Sequence, residues 1–124
     1  MTDHTAGRKV YVVDDEHVIA YTLEAILKNA GFDAKAFNNP LDALEAAKSA
    51  TPDLLITDVV MPKMSGVELA IEFRTHYPSC QILLFSGQSA TADLLENARE
   101  QGYDFKILAK PVHPVDLIAA VQKL

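Results

Sequence analysis

Cysteine, basic charge and long apolar stretches are all scarce in this chain, and each scarcity closes off a class of function. The one cysteine, Cys80, permits no internal disulfide. It lies beside a strand-like run and reads as an inert, partly buried thiol, which fits a cytoplasmic location. Four histidines, His4, His17, His76 and His113, are scattered, so neither they nor the lone thiol make a zinc pattern. Lys and Arg number 11 against 17 Asp and Glu, a formal net charge of −6. That balance argues against direct nucleic-acid binding, which needs clustered basic side chains. No run approaches the roughly 20 apolar residues that span a bilayer, and the polar start MTDHTAGRK has no signal-peptide core. No membrane partner is therefore expected. No glycine-rich phosphate loop follows the first apolar run, which weighs against a nucleotide site.

What is present suits one globular unit. A chain of 124 residues that is 49% hydrophobic and 23% charged can bury a self-sufficient core. No linker, repeat or low-complexity tract divides it, so residues 1–124 are expected to form a single domain, with 1–8 as a flexible N-terminal tail. Short apolar runs occur at Val10–Val13, Ala34–Phe37, Leu54–Thr57, Ile82–Phe85 and Ile107–Ala109. Helical patterns separate them. The first, carried by Ile19, Leu23, Ile26, Leu27 and Ala30, ends at Gly31. Asn39-Pro40 opens the second as cap and first-turn proline, with Leu41, Leu44 and Ala47 as its apolar stripe. Ser65 and Glu68 form a capping box for the third, with Leu69 and Phe73 facing inward. Leu94, Leu95 and Ala98 mark a fourth that stops at Gly102. His113-Pro114 starts the fifth, with Leu117, Val121 and Leu124. Five such alternations predict an α/β fold with a parallel sheet covered on both faces. The common five-strand solution is the flavodoxin-like (βα)5 order 2-1-3-4-5. In that order ligands bind outside the carboxyl ends of strands 1 and 3.

Polar residues stand where these runs end: Asp14 and Asp15 after the first, Asp58 after the third, Ser86 after the fourth, Lys110 after the fifth. Singly, each has a plainer reading, as an acidic first turn, a turn residue or a solvated lysine. Jointly they place three carboxylates, a hydroxyl and an ammonium along one sheet edge. Three close carboxylates repel and raise one another's pKa unless a cation intervenes. A hard divalent ion held by carboxylates meets that need, and a carboxylate can itself accept a phosphoryl group. Lys110 and Ser86 would then meet phosphate oxygens, and Gly87 removes side-chain bulk beside them.

The motifs VVDDE, TDVVMPKMSG, LLFSG and AKP, spread from Val10 to Leu124, resemble the receiver domain of two-component response regulators, the CheY-like family. The resemblance implies that Asp58 is the phosphoacceptor. It implies that Asp15, Asp58 and the Val60 backbone carbonyl bind Mg2+ (or Mn2+), with Asp14 helping. Ser86 takes the switch-hydroxyl position, Lys110 bridges the phosphate, and the Lys110-Pro111 bond is cis. Met61-Pro62 and Gly66 shape the loop beside the acceptor, and Val60 and Gln88 flank the site. The implied partners are a sensor histidine kinase or phosphotransfer protein and a downstream effector or fused output domain, with a phosphorylation-dependent dimer as a further expectation. The implied output is a switching surface formed by the fourth helix, fifth strand and fifth helix, where Ala90, Thr91 and Ala92 make a weakly held helix start. One position departs. The family usually carries an aromatic ring or His three residues before the lysine, and Ile107 stands there. Ile107 is read as replacing the ring; the alternative is a bulge that re-aims Phe105.

Two rivals remain. Haloacid-dehalogenase-like phosphohydrolases also phosphorylate a strand-end aspartate, but they need a second acid two positions later, where this chain has Val60. A pure interaction module that no longer takes phosphate would bind partners equally with and without beryllofluoride.

Overall fold

The computed structural model describes residues 7–87, 92–110 and 112–124. Residues 1–6 of the expected tail, Gln88, Ala90, Thr91 and Pro111 lie outside them. Ten elements alternate: β1 Lys9–Val13, α1 His17–Asn29, β2 Asp33–Phe37, α2 Pro40–Ala47, β3 Leu54–Asp58, α3 Gly66–His76, β4 Gln81–Ser86, α4 Ala92–Glu100, β5 Lys106–Ala109 and α5 Pro114–Gln122. The strands form one parallel sheet in the order β2-β1-β3-β4-β5, as expected. Each strand follows its hydrogen-bonded ladder rather than its hydropathy, so most begin one residue before the apolar run. β3 and β4 extend to include Asp58 and Ser86.

The apolar runs are continuous because the central strands are covered twice, and the period-2 alternation of strand side chains sorts them by face. Tyr11, Val13, Leu55, Ile82 and Leu84 pack with Ala43, Ala47, Leu69, Ala70, Phe73 and Ala98 from α2, α3 and α4. Val10, Val12, Leu54, Ile56, Leu83 and Phe85 pack with Leu23, Leu27, Leu117 and Val121 from α1 and α5. Burying each large side chain stabilises the fold by about 1.5–3 kcal/mol.

Helix starts follow the local signals. Asn39 Oδ1 accepts from Leu41 N at 2.9 Å with Pro40 in the first turn. Ser65 and Glu68 exchange both capping-box bonds, at 3.1 and 3.0 Å. Gly31, just past α1, has φ 101°, the left-handed conformation that a helix end favours glycine for. Two stripes differ from expectation. Leu41 is 49% exposed, and Ala43 joins Ala47 against the sheet; tight α2–β packing takes the smaller side chains. In α4 only Ala98 is buried, with Leu94 exposed. Cys80 is fully rather than partly buried, and desolvation pushes its thiol up to about 12, which makes it inert.

Candidate phosphoryl and metal site

Parallel register alone brings the acids together. Val13 pairs with Thr57 and Asp58 with Phe85, so the residues after Val13 emerge beside Asp58. Ser86 pairs with Ala109, and its carbonyl accepts from Lys110 N at 3.0 Å. The carboxyl ends of β1, β3, β4 and β5 thus deliver Asp14, Asp15, Asp58, Ser86 and Lys110 to one edge. A cleft of about 440 Å³ opens there, lined by Asp15, Glu16, Ile19, Asp58, Val60, Gly87 and Lys110.

Asp15 and Asp58 line the cleft with Asp14 buried behind them, and one carboxylate oxygen from each of the three lies within 4.8 Å of the others. Lys110 Nζ is 3.1 Å from Asp58 Oδ2 and 3.7 Å from Asp14 Oδ2, and 5.0 Å from the centre of the Phe85 ring. Asp14 is wholly buried and Asp58 nearly so. Asp14 Oδ1 accepts from Glu16 N at 2.9 Å, while its buried Oδ2 has no hydrogen-bond partner. Burial pushes the Asp14 carboxyl up to about 6; the Glu16 amide and Lys110 oppose this, and Asp58 and Asp15 add to it. An all-oxygen set with one unsatisfied buried oxygen matches what a hard divalent cation requires, so these three residues could hold a metal ion.

Two glycines make the geometry possible. A Cβ on Gly66 would stand 1.8 Å from the Asp58 carbonyl oxygen, and Gly66 N donates to Val59 O at 2.8 Å. The start of α3 therefore rests directly on the backbone of Asp58. A Cβ on Gly87 would stand 2.9 Å from Lys110 Cβ, so that glycine gives room to the lysine stem. Val60 stands on the cleft rim, 45% exposed.

A family model for the response regulator receiver domain matches residues 10–122. The chain belongs to that family. It is 34% identical over 114 residues to the DNA-binding transcriptional regulator NtrC of Escherichia coli (strain K12), covering 92% of this chain and 24% of that protein. It is 31% identical over 117 residues to the response regulator receiver protein CpdR of Brucella abortus, covering 94% of this chain and 96% of that one. Among solved structures, the chemotaxis response regulator CheY4 of Vibrio cholerae superposes with a TM-score of 0.83 at 28% identity, over 95% of this chain and 98% of that chain. The chain thus spans about a quarter of the length of its NtrC relatives and nearly all of CpdR. It is a receiver domain, a signalling module of two-component response regulators. Among the described residues no helix is long and apolar enough to cross a membrane.

At the departing position, β5 pairs with β4 in unbroken register from Lys106 to Ala109, so no bulge re-aims Phe105. Phe105 lies before the strand and is buried. It is stacked on Tyr103 at 5.9 Å, with the Arg74 guanidinium 5.4 Å from its ring centre. Ile107 is 41% exposed. The sequence reading missed Asn38, whose Nδ2 donates to the Asp14 carbonyl at 3.1 Å, and Glu24, whose carboxylate accepts from Ala36 N at 2.7 Å.

Proposed function

We propose that residues 1–124 act as one receiver domain whose Asp58 carboxylate accepts a phosphoryl group from a phosphohistidine on a sensor kinase or phosphotransfer protein. The observation that carries this reading is the ammonium of Lys110 at 3.1 Å from Asp58 Oδ2, beside two further carboxylates that could share a cation. Asp15, Asp58 and the Val60 carbonyl would hold Mg2+ or Mn2+, with Asp14 assisting. When bound, that ion neutralises charge on the carboxylates and on the incoming phosphoryl oxygens.

The chain's own groups do the rest. Asp58 is aimed into the cleft by β3 and held by the α3 start against its backbone. As the donor N–P bond breaks and the O–P bond to Asp58 forms, charge spreads over the phosphoryl oxygens, and positioned cations stabilise it. Lys110 meets one such oxygen and Ser86 donates to another. Because Lys110 N bonds Ser86 O, a pull on either residue moves the tips of β4 and β5 together. The readout is a shift of the α4-β5-α5 surface, where α4 buries Ala98 and packs only a half-buried Leu95 beside it. Ile107 takes the place of the usual ring, so this movement proceeds without an aromatic side chain following the hydroxyl inward. The output is a separate effector or a fused domain, as NtrC carries, or a phosphorylation-dependent dimer; the domain works in the cytoplasm.

Incubation with a small-molecule phosphodonor and Mg2+, read by intact mass, tests this. The wild-type chain is expected to gain one phosphoryl group and Asp58→Ala none. An equal gain in Asp58→Ala would remove Asp58 as acceptor.

A further inference from the structure

Asp14 is held at three points, and one of them is a side-chain amide from outside the cluster of acids. Its N–H donates to Phe37 O at 3.0 Å. Its Oδ1 accepts from Glu16 N at 2.9 Å. Its carbonyl accepts from Asn38 Nδ2 at 3.1 Å. That carbonyl belongs to the planar peptide unit that also contains the Asp15 amide. Fixing the plane leaves the Asp15 φ as the first torsion that can re-aim the Asp15 carboxylate. The end of β2 that supplies the clamp is itself anchored to α1, where Glu24 Oε2 accepts from Ala36 N at 2.7 Å.

Resting on the cation site proposed above, we infer that Asn38 is a positioning residue. Its side-chain amide holds the Asp14-Asp15 peptide so that the Asp15 carboxylate meets the cation shared with Asp58. Without the amide, the buried Asp14 carbonyl loses its donor, and the peptide is free to turn toward another one. Partners that orient a ligand in this way commonly change metal affinity by one to two orders of magnitude. Asn39 makes the α2 cap bond, so replacing Asn38 leaves that helix start intact.

Mn2+ binding, followed by electron paramagnetic resonance, tests the inference in the wild type, Asn38→Ala, Asn38→Ser, Asp15→Asn and the double variant Asp15→Asn with Asn38→Ala. Thermal midpoints taken in a chelator confirm that each chain folds. Asn38→Ala is expected to weaken Mn2+ about tenfold, with Asn38→Ser covering the case in which the alanine variant fails to fold. Once Asp15 is Asn, the second substitution should cost little more, because the two residues act through one carboxylate. Wild-type affinity in folded Asn38→Ala or Asn38→Ser would overturn the inference alone. So would equal losses in the Asp15 and Asp15→Asn backgrounds, since a structural effect spread over the whole site would add. No Mn2+ binding by the wild type would overturn the cation site itself, and this inference with it.

Discussion

The strands β3 and β5 both lead into the cleft, through Asp58 at the end of one and Lys110 just past the end of the other, yet they are built in opposite ways. All five residues of β3 are buried, whereas none of the four in β5 is. β3 pairs on both sides, with β1 and β4, while β5 is an edge strand that, among the described residues, pairs only with β4. Asp58 therefore sits on a platform that cannot give way without opening the core. Lys110 sits at the tip of a strand held along one side. In the proposed function, strand order would give the acceptor its fixed position and leave the lysine freer to move.

Replacing the same residue in each strand should expose the contrast most strongly. Ile56→Ala in β3, at a site with no exposure, is expected to cost about 4 kcal/mol in chemical denaturation. The same change at Ile107 should cost less than about 1 kcal/mol. Equal losses would mean that β5 is packed as tightly as β3. Gly66→Ala attacks the platform from the α3 side. Its new methyl would meet the Asp58 carbonyl, and backbone cannot rotate aside as a side chain can. We expect about 3 kcal/mol of destabilisation, with phosphoryl uptake reduced in whatever fraction remains folded. Gly87→Ala, whose methyl would stand 2.9 Å from Lys110 Cβ, an atom fixed to the backbone, should also cost stability, though less than the 1.8 Å overlap at Gly66.

Asp14 offers a stabilising change. Its folded pKa of about 6 lies above the ordinary 3.8, so the folded state holds this proton more tightly. The stability contributed by that proton is complete below about pH 4 and is lost as pH rises through about 6. In a chelator at pH 7, Asp14→Asn should then raise stability by about 2 kcal/mol. That advantage should disappear below pH 4 and shrink when Mg2+ is added. An Asn variant no more stable at pH 7 would mean that Lys110 already compensates the buried charge in full. The smallest expected effect is on stability in Ile107→Tyr, within about 0.5 kcal/mol of wild type. Its informative readout is the spread of amide shifts across α4 and β5 on adding beryllofluoride with Mg2+. A wider spread than in the wild type would show what a ring adds at this position.

Most of the architecture was legible because hydropathy period and capping are local properties. Each of the five apolar runs lies within a strand, and the Asn39 cap and the Ser65-Glu68 box form as read. Strand order came from the commonness of one topology, since periodicity carries no neighbour information. Within helices the reading misplaced size: Leu41 looked like core, but the α2 contact admits Ala43. Phe105 could have been either a re-aimed ring or a core residue, and only the unbroken β4–β5 register distinguishes them. Asn38 was missed although it obeys the rule that found the other site residues. It is the polar residue that ends the second apolar run, after Phe37. It was passed over because an amide suggests no chemistry until its partner, Asp14, is seen 24 positions away in sequence. Glu24 was hidden for the same reason, since a helical glutamate reads as solvated until its carboxylate is found on a strand amide.

Asp58, among three clustered carboxylates, is the one proposed to bear the phosphoryl group. Borohydride reduces an aspartyl phosphate to homoserine and leaves free carboxylates untouched. After treatment with phosphodonor and Mg2+, peptide sequencing by mass spectrometry should therefore find homoserine at position 58, and none when the cation is chelated. Homoserine at position 14 or 15, or at no position in a folded and cation-loaded chain, would contradict the account.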